Sequence, residues 1–369
     1  MKRHSKKIIA GSALLLTGVC AHAQFTAGDL VVLRDGAGTA PLSNAGTAIF
    51  LDEFNTAGSA VYSVAIPSTG GTALVNSGTA TSEGEISLSP NGQNIVLAGY
   101  NANAGTAAIA STTSTAAPRG VATVNANGNY SLSATSTSFY SGNNIRSGTI
   151  DGSGNIWAAG ANGGIAYMGS GTPGLISTTS VNNRVLQNIG GNLYFSTGSG
   201  STRGIYQISG NPTSGSTTAT SFINASSIGT VSPYDFAFNS SMTVAYIADS
   251  DAYTTSAGVG GIEKWDFNGT SWAFQYSLPT VGVGANGLAV DFSGANPVIY
   301  ATSGDGTSLF DVTDTGSSAT ATLLDTAGSN EAFRGLTWAP TAVPEPSVLA
   351  LLAAGLPGAY LWVRRNRKA

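Results

Sequence analysis

Short apolar runs bounded by Gly, Asn or Asp recur along this chain, and their spacing constrains the fold more than any other feature. The runs read "SAVYSVAI" from Ser59, "TAAIAST" from Thr106, "GGIAYMG" from Gly163, "RGIYQIS" from Arg203, "GGIEKWDF" from Gly260 and "TSLFDVT" from Thr307. Aligning Val61, Ala108, Ile165, Ile205, Ile262 and Leu309 gives intervals of 47, 57, 40, 57 and 47 residues. Several of these runs have a "GNIWAAG"-like or "VIYATSG"-like run upstream, and several units open on "GEISLSP", "NIRSGTIDG", "YDFAFNS" or "NGLAVDFSG". Alternating short runs with no amphipathic helix between them are strands. Four strands in about 50 residues is the spacing of propeller blades, whereas solenoid rungs repeat at about 20–30. The expectation is an all-β body over residues 24–340, a six-bladed β-propeller. A seven-bladed ring and a β-solenoid of the autotransporter-passenger kind, favoured by the Gly/Thr/Asn richness, are the alternatives.

Ring closure gives a second test. "DLVVLRDG" at Asp29 reads as a second strand with no first, and "FRGLTWAP" at Phe333 as a first strand with no blade after it. Joined, the two complete a blade from both ends of the body. Residues 111–137 and 211–227 read as polar hairpins or loops.

Composition then excludes chemistry. His4, His22 and Cys20 all lie near the N-terminus, so Gln24 to Val343 contains no histidine and no cysteine. Disulfides, Cys/His zinc sites and any mechanism needing a Cys nucleophile or His base are ruled out for the body. Lys264, Arg34, Arg119, Arg146, Arg184, Arg203 and Arg334 face eighteen acids there, a formal charge of −11. That balance argues against nucleic acid as a partner.

The two ends read as an address. "MKRHSKK", an apolar "IIAGSALLLTGV" and "AHA" form a signal peptide over residues 1–23, with Ala21 and Ala23 at the cleavage site and Gln24 the first mature residue. Residues 341–346 form a linker holding Pro344, Glu345 and Pro346. Residues 347–363 are an uncharged stretch at the short limit for a transmembrane helix. Arg364, Arg365, Arg367 and Lys368 follow in a basic tail, 364–369, which the positive-inside rule keeps cytoplasmic. The order Pro-Glu-Pro, apolar segment, basic end, over Val343 to Lys368, resembles the bacterial PEP-CTERM sorting signal. That resemblance implies recognition of Pro344–Pro346 by an exosortase, a membrane peptidase, at the inner membrane of a Gram-negative exopolysaccharide producer. The protein would then pass to the cell surface or the medium.

Site candidates in the body are few. Asp249 and Asp251 in "DSDAYTTSAG" start like a calcium loop, but the further acids and the closing Glu are missing, and a solvated turn is the competing reading. "SGDGTSLF" reads as a β-turn, and "GSGSTRG" lacks the helix that would make it a phosphate loop. Trp157, Trp265, Trp272 and Trp338 offer sugar-stacking faces, Trp272 the most exposed of them. "DGSGNIWAAG" and "NGLAVDFSGANPVIYATSG" resemble NHL-type or lactonase-type propeller repeats. A lactonase-like propeller implies a divalent metal held by carboxylates and Asn in the channel, for which Asp235, Asn286, Asp291 and Glu331 are the candidates. The expected function is nonetheless a non-enzymatic surface or matrix component without a cofactor, associated with exopolysaccharide. A metal-dependent lactonase-like hydrolase and a lectin-like glycan binder are the alternatives.

Overall fold

The computed structural model describes residues 25–342 apart from 199, 201–202 and 255–257. The signal-peptide cleavage site, the Pro-Glu-Pro motif, the proposed transmembrane helix and the basic tail lie outside the described residues. Among the described residues no helix is long and apolar enough to cross a membrane, and the only helical turns are two short 3-10 segments, Ile109–Ser111 and Ala225–Ile228.

Six four-stranded antiparallel sheets follow one another around a ring. Their inner strands are Ala332–Trp338 in blade 1, Ile86–Leu88 in blade 2, Ile145–Ile150 in blade 3, Asn183–Ile189 in blade 4, Pro233–Phe238 in blade 5 and Leu288–Asp291 in blade 6. Blade 1 is built from both ends of the body. Ala332–Trp338 pairs with Leu30–Asp35, which continues to Ile49–Phe54 and Ala60–Ala65. The six-bladed propeller and its closure are as expected, and the solenoid and seven-bladed alternatives fall.

The strand alignment holds in four units of six. Ile165, Ile205, Ile262 and Leu309 lie on third strands, but Val61 lies on the fourth strand of blade 1 and Ala108 on no strand. Blade 2 diverts through a long connection after Tyr100 before its third strand, Arg119–Asn125, begins. Residues 111–137, read as a polar hairpin or loop, hold the hairpin of the two outer strands of that blade, and Thr220–Asn224, in the second such region, is the outer strand of blade 4.

Second strands are apolar almost throughout ("NIVLAGY", "VAYIA") because neighbouring blades cover both their faces. Outer strands alternate, as in Tyr130–Ser136, where Ser131, Ser133 and Thr135 face water. The core is accordingly split among the blade junctions. One cluster joins Val31, Leu33 and Leu51 of blade 1 to Ile95 and Leu97 of blade 2, and another joins Trp157 and Tyr167 of blade 3 to Leu186 and Phe195 of blade 4. Removing one blade would expose two such faces, so burial holds the ring as a unit.

Hydrogen bonds link every pair of neighbouring blades near the axis. Glu85 N donates to Arg146 O, Ser147 Oγ to Arg184 O, Arg184 Nη1 to Pro233 O, Asp235 N to Asn286 O, Thr302 Oγ1 to Arg334 O, and Gly335 N to Gly84 O. Glycine makes this approach possible. A Cβ on Gly335 would lie 2.5 Å from Ile86 N, and one on Gly287 would lie 2.4 Å from Leu336 N.

All inner strands run in one direction, giving the ring an entry face and an exit face. Both ends of the body sit on the exit face: Phe25 N donates to Ala126 O, and Thr341 N to Gly92 O.

Candidate active site

Residues at the entry ends of the inner strands converge on the axis, with a side chain from each blade. They are Glu85 in blade 2, Arg146 in blade 3, Arg184 in blade 4, Tyr234 and Asp235 in blade 5, Asn286 in blade 6 and Arg334 in blade 1. In blades 1, 3, 4 and 5 the ladder register shifts here, between Phe333 and Leu336, Ile145 and Ser147, Asn183 and Leu186, and Pro233 and Phe236. Such bulges re-aim a side chain that regular alternation would send elsewhere. Arg146, Arg184 with Val185, Tyr234 with Asp235, and Arg334 with Gly335 lie within them.

Glu85 is fully buried, and neither of its carboxylate oxygens has a hydrogen-bond partner. Burial pushes its pKa up to about 8. The charge of Asp235 adds to the rise, and Arg334, Arg184 and Arg146 oppose it. At neutral pH Glu85 is therefore a carboxylic acid with a proton to give. Asp235 is also buried and raised to about 7 by desolvation. Its oxygens are taken by Gln187 Nε2 at 2.8 Å, Phe236 N at 2.8 Å and Leu288 N at 3.0 Å, which makes it a fixed neighbour of the site. Asn286 donates its amide to Thr81 O at 3.0 Å, so its Oδ1, buried and unpartnered, is held in one orientation.

Each arginine is held by one edge. Arg146 Nη1 donates to Asn182 Oδ1 at 2.6 Å, and Arg184 Nη1 to Ser232 Oγ at 2.7 Å, with its guanidinium 3.9 Å from the Tyr234 ring centre. The Nε atoms of both are buried without a partner. Arg334 differs, because its Nε bonds Asp35 at 3.0 Å in a buried ion pair across the closing strands. Beyond the waist at Asp235 and Gln187, the exit side opens into a funnel of about 570 Å³ lined by Ser87, Ser89, Asn188, Thr337 and Trp338 among others.

Of the sequence candidates, Asp235 and Asn286 meet here, while Asp291 and Glu331 do not. Asp291 caps the turn at Ser293 N, and Glu331 pairs with Arg34 at 2.7 Å beside the closing strands. Asp249 and Asp251 are held apart among the described residues of that loop. Asp249 is buried, accepts from Ser232 N and Asp251 N at 2.9 Å each, and turns towards the buried Glu263, while Asp251 is exposed. "SGDGTSLF" is a turn, as expected, with Asp305 Oδ1 accepting from Ser303 Oγ at 2.6 Å and Thr307 Oγ1 at 2.8 Å. Trp157 and Trp265 are buried. Trp272 is only half-exposed, with Phe222, Phe238 and Phe267 all within 5.8 Å of it.

The donor set does not suit a divalent ion. Asp235 is saturated, three guanidinium groups lie around Glu85, and among the described residues no group of three His, Cys, Asp or Glu is placed to share a metal. At neutral pH the mouth mainly offers donors: the Glu85 acid and the arginine N–H groups. Such a site favours negative charge on oxygen.

No protein-family model and no curated protein matches the sequence. Solved structures with a similar fold include the periplasmic gluconolactonase PpgL of Pseudomonas aeruginosa, at 11% identity and TM-score 0.45, covering 81% of this chain and 83% of that one. A protein provisionally named 6-phosphogluconolactonase from Bacteroides fragilis matches at 14% and 0.45 over 80% and 81%, and a Lactobacillus plantarum protein at 10% and 0.47 over 85% and 86%. The expectation of a non-enzymatic body is corrected here, since this fold is shared with chains named as lactonases. At such identities and TM-scores the likeness carries no argument about chemistry, which rests on Glu85 and the arginines.

Proposed function

We propose that the body is a hydrolase of ester-type bonds, lactones included, working at the entry mouth without a metal. The observation that carries this reading is Glu85, a buried carboxylic acid with both oxygens free, set among three arginines. Asn286 Oδ1 accepts a hydrogen bond from the attacking water. As water adds to the carbonyl carbon, the positive field of the three guanidinium groups around Glu85 favours the charge that develops on the carbonyl oxygen. The bond from that carbon to the leaving oxygen then breaks, and the leaving oxygen takes the Glu85 proton. The proton released by the added water restores Glu85.

The address read at the two ends supports a place of work outside the cytoplasm, with an exosortase-type peptidase acting at Pro344–Pro346 and exopolysaccharide as the surrounding material. Turnover of a lactone panel by the purified body tests the activity. The rate is expected to hold below about pH 8 and fall above it as Glu85 ionises, and Glu85→Gln is expected to lose at least a hundredfold in kcat. A Glu85→Gln variant with undiminished turnover refutes the proposal.

A further inference from the structure

Three of the body's seven basic side chains stand at this one mouth, in a body of formal charge −11. Arg334 has a carboxylate partner in contact there, whereas Arg146 and Arg184 have none in contact and feel Glu83 and the Asp249, Glu85 and Asp251 carboxyls only from further off. The ion pairs among the described residues involve Arg34, Lys264 and Arg334 only. Arg146 is 8% exposed, and both it and Arg184 keep a buried Nε–H with no acceptor. Buried charges in folded proteins are paired, since an uncompensated one is costly. Glu85 does not compensate them at neutral pH, because it holds its proton there. The guanidinium edge is also the group best matched to a carboxylate or phosphate.

We infer that Arg146 and Arg184 bind an oxyanion carried by the substrate, which is therefore an anionic small molecule with a carboxylate or phosphate and not a neutral one. This deepens the hydrolase reading by naming its substrate class, and it rests on that reading only for the word substrate. The oxyanion answers the two unpaired guanidinium groups, and the protonated Glu85 adds a donor, so binding takes up a proton as the pH approaches 8.

The test is calorimetric titration of the body with glucuronate, glucose 6-phosphate and glucose, in buffers of different ionisation enthalpy. At least one of the two anions is expected to bind, with glucose at least tenfold weaker, and added salt is expected to weaken the anion. Arg184→Gln and Arg146→Gln should each lose at least tenfold, and Arg184→Lys should recover part of the loss, which separates charge from misfolding. A preference for glucose 6-phosphate over glucuronate identifies phosphate as the source of the oxyanion, and the reverse identifies carboxylate. Equal binding of glucose and both anions overturns the inference, as does anion binding that survives both Gln variants. Glu85→Gln distinguishes the two claims. If it keeps both anion binding and turnover, the hydrolase reading fails while the oxyanion site stands.

Discussion

Glu85 makes the most exposed prediction, because the property that suits it to proton transfer also weakens the fold. Its pKa rises from an ordinary 4.5 to about 8 in the folded chain. The folded protein therefore holds this proton where the unfolded chain has released it. The resulting stability is complete below pH 4.5 and is lost as pH rises through 8, at about 1.4 kcal/mol per pH unit. The total over that window is about 5 kcal/mol. Gln has the shape of the protonated acid and does not titrate. Glu85→Gln is thus expected to match the parent within ~1 kcal/mol at pH 4, to be more stable by about 3 kcal/mol at pH 7, and by about 5 kcal/mol at pH 9. Urea unfolding followed by tryptophan fluorescence at the three pH values gives the difference, read from midpoints at unchanged m. The other buried carboxyls are common to both proteins and largely cancel. A gap between the two proteins that is the same at all three pH values refutes the reasoning. A stabilised but inactive variant is the signature of a residue kept for function at the expense of the fold.

Other perturbations follow from single contacts. Gly335→Ala drives a methyl group to 2.5 Å from Ile86 N and 2.8 Å from Glu85 Cα, so it should destabilise by about 1–3 kcal/mol or more in urea and lower kcat. Asp35→Asn leaves the buried Arg334 without its counter-charge between the closing strands, and a loss of about 3–5 kcal/mol in urea unfolding is expected. Glu263, buried and raised well above its ordinary range by desolvation and the Asp249 charge, also accepts from Trp265 Nε1 at 3.0 Å. Glu263→Gln reproduces the protonated form and should be neutral within ~1 kcal/mol at pH 6. Glu263→Ala strands the indole N–H and the Asp249 carboxyl and should lose about 3 kcal/mol in the same assay.

The ring was legible because its second strands are apolar runs closed by Gly and Asn turns, and because Asp29 and Phe333 open strands that only each other can complete. Blade 2 was misaligned for a local reason. Its outer strands alternate Ser and Thr with small apolar residues, so "RGVATVNANGNYSLSATS" has the composition of a loop while pairing as a hairpin. At the site, Asp235 and Asn286 were found from their position beside inner strands. The arginines were missed because bulges, which no simple period describes, turn Arg146 and Arg184 to the axis. One trace was present: an Arg within the first three residues of the inner strand in "IRSG", "NRVL" and "AFRG". Glu85 left none, since its unpaired state depends on what four other blades place around it.

The location of both body termini on the exit face has a directional consequence. Both ends leave the body on the funnel side, away from the arginine mouth. Changes in length at either end of the body therefore fall on the face opposite the arginine mouth and leave its lining residues untouched.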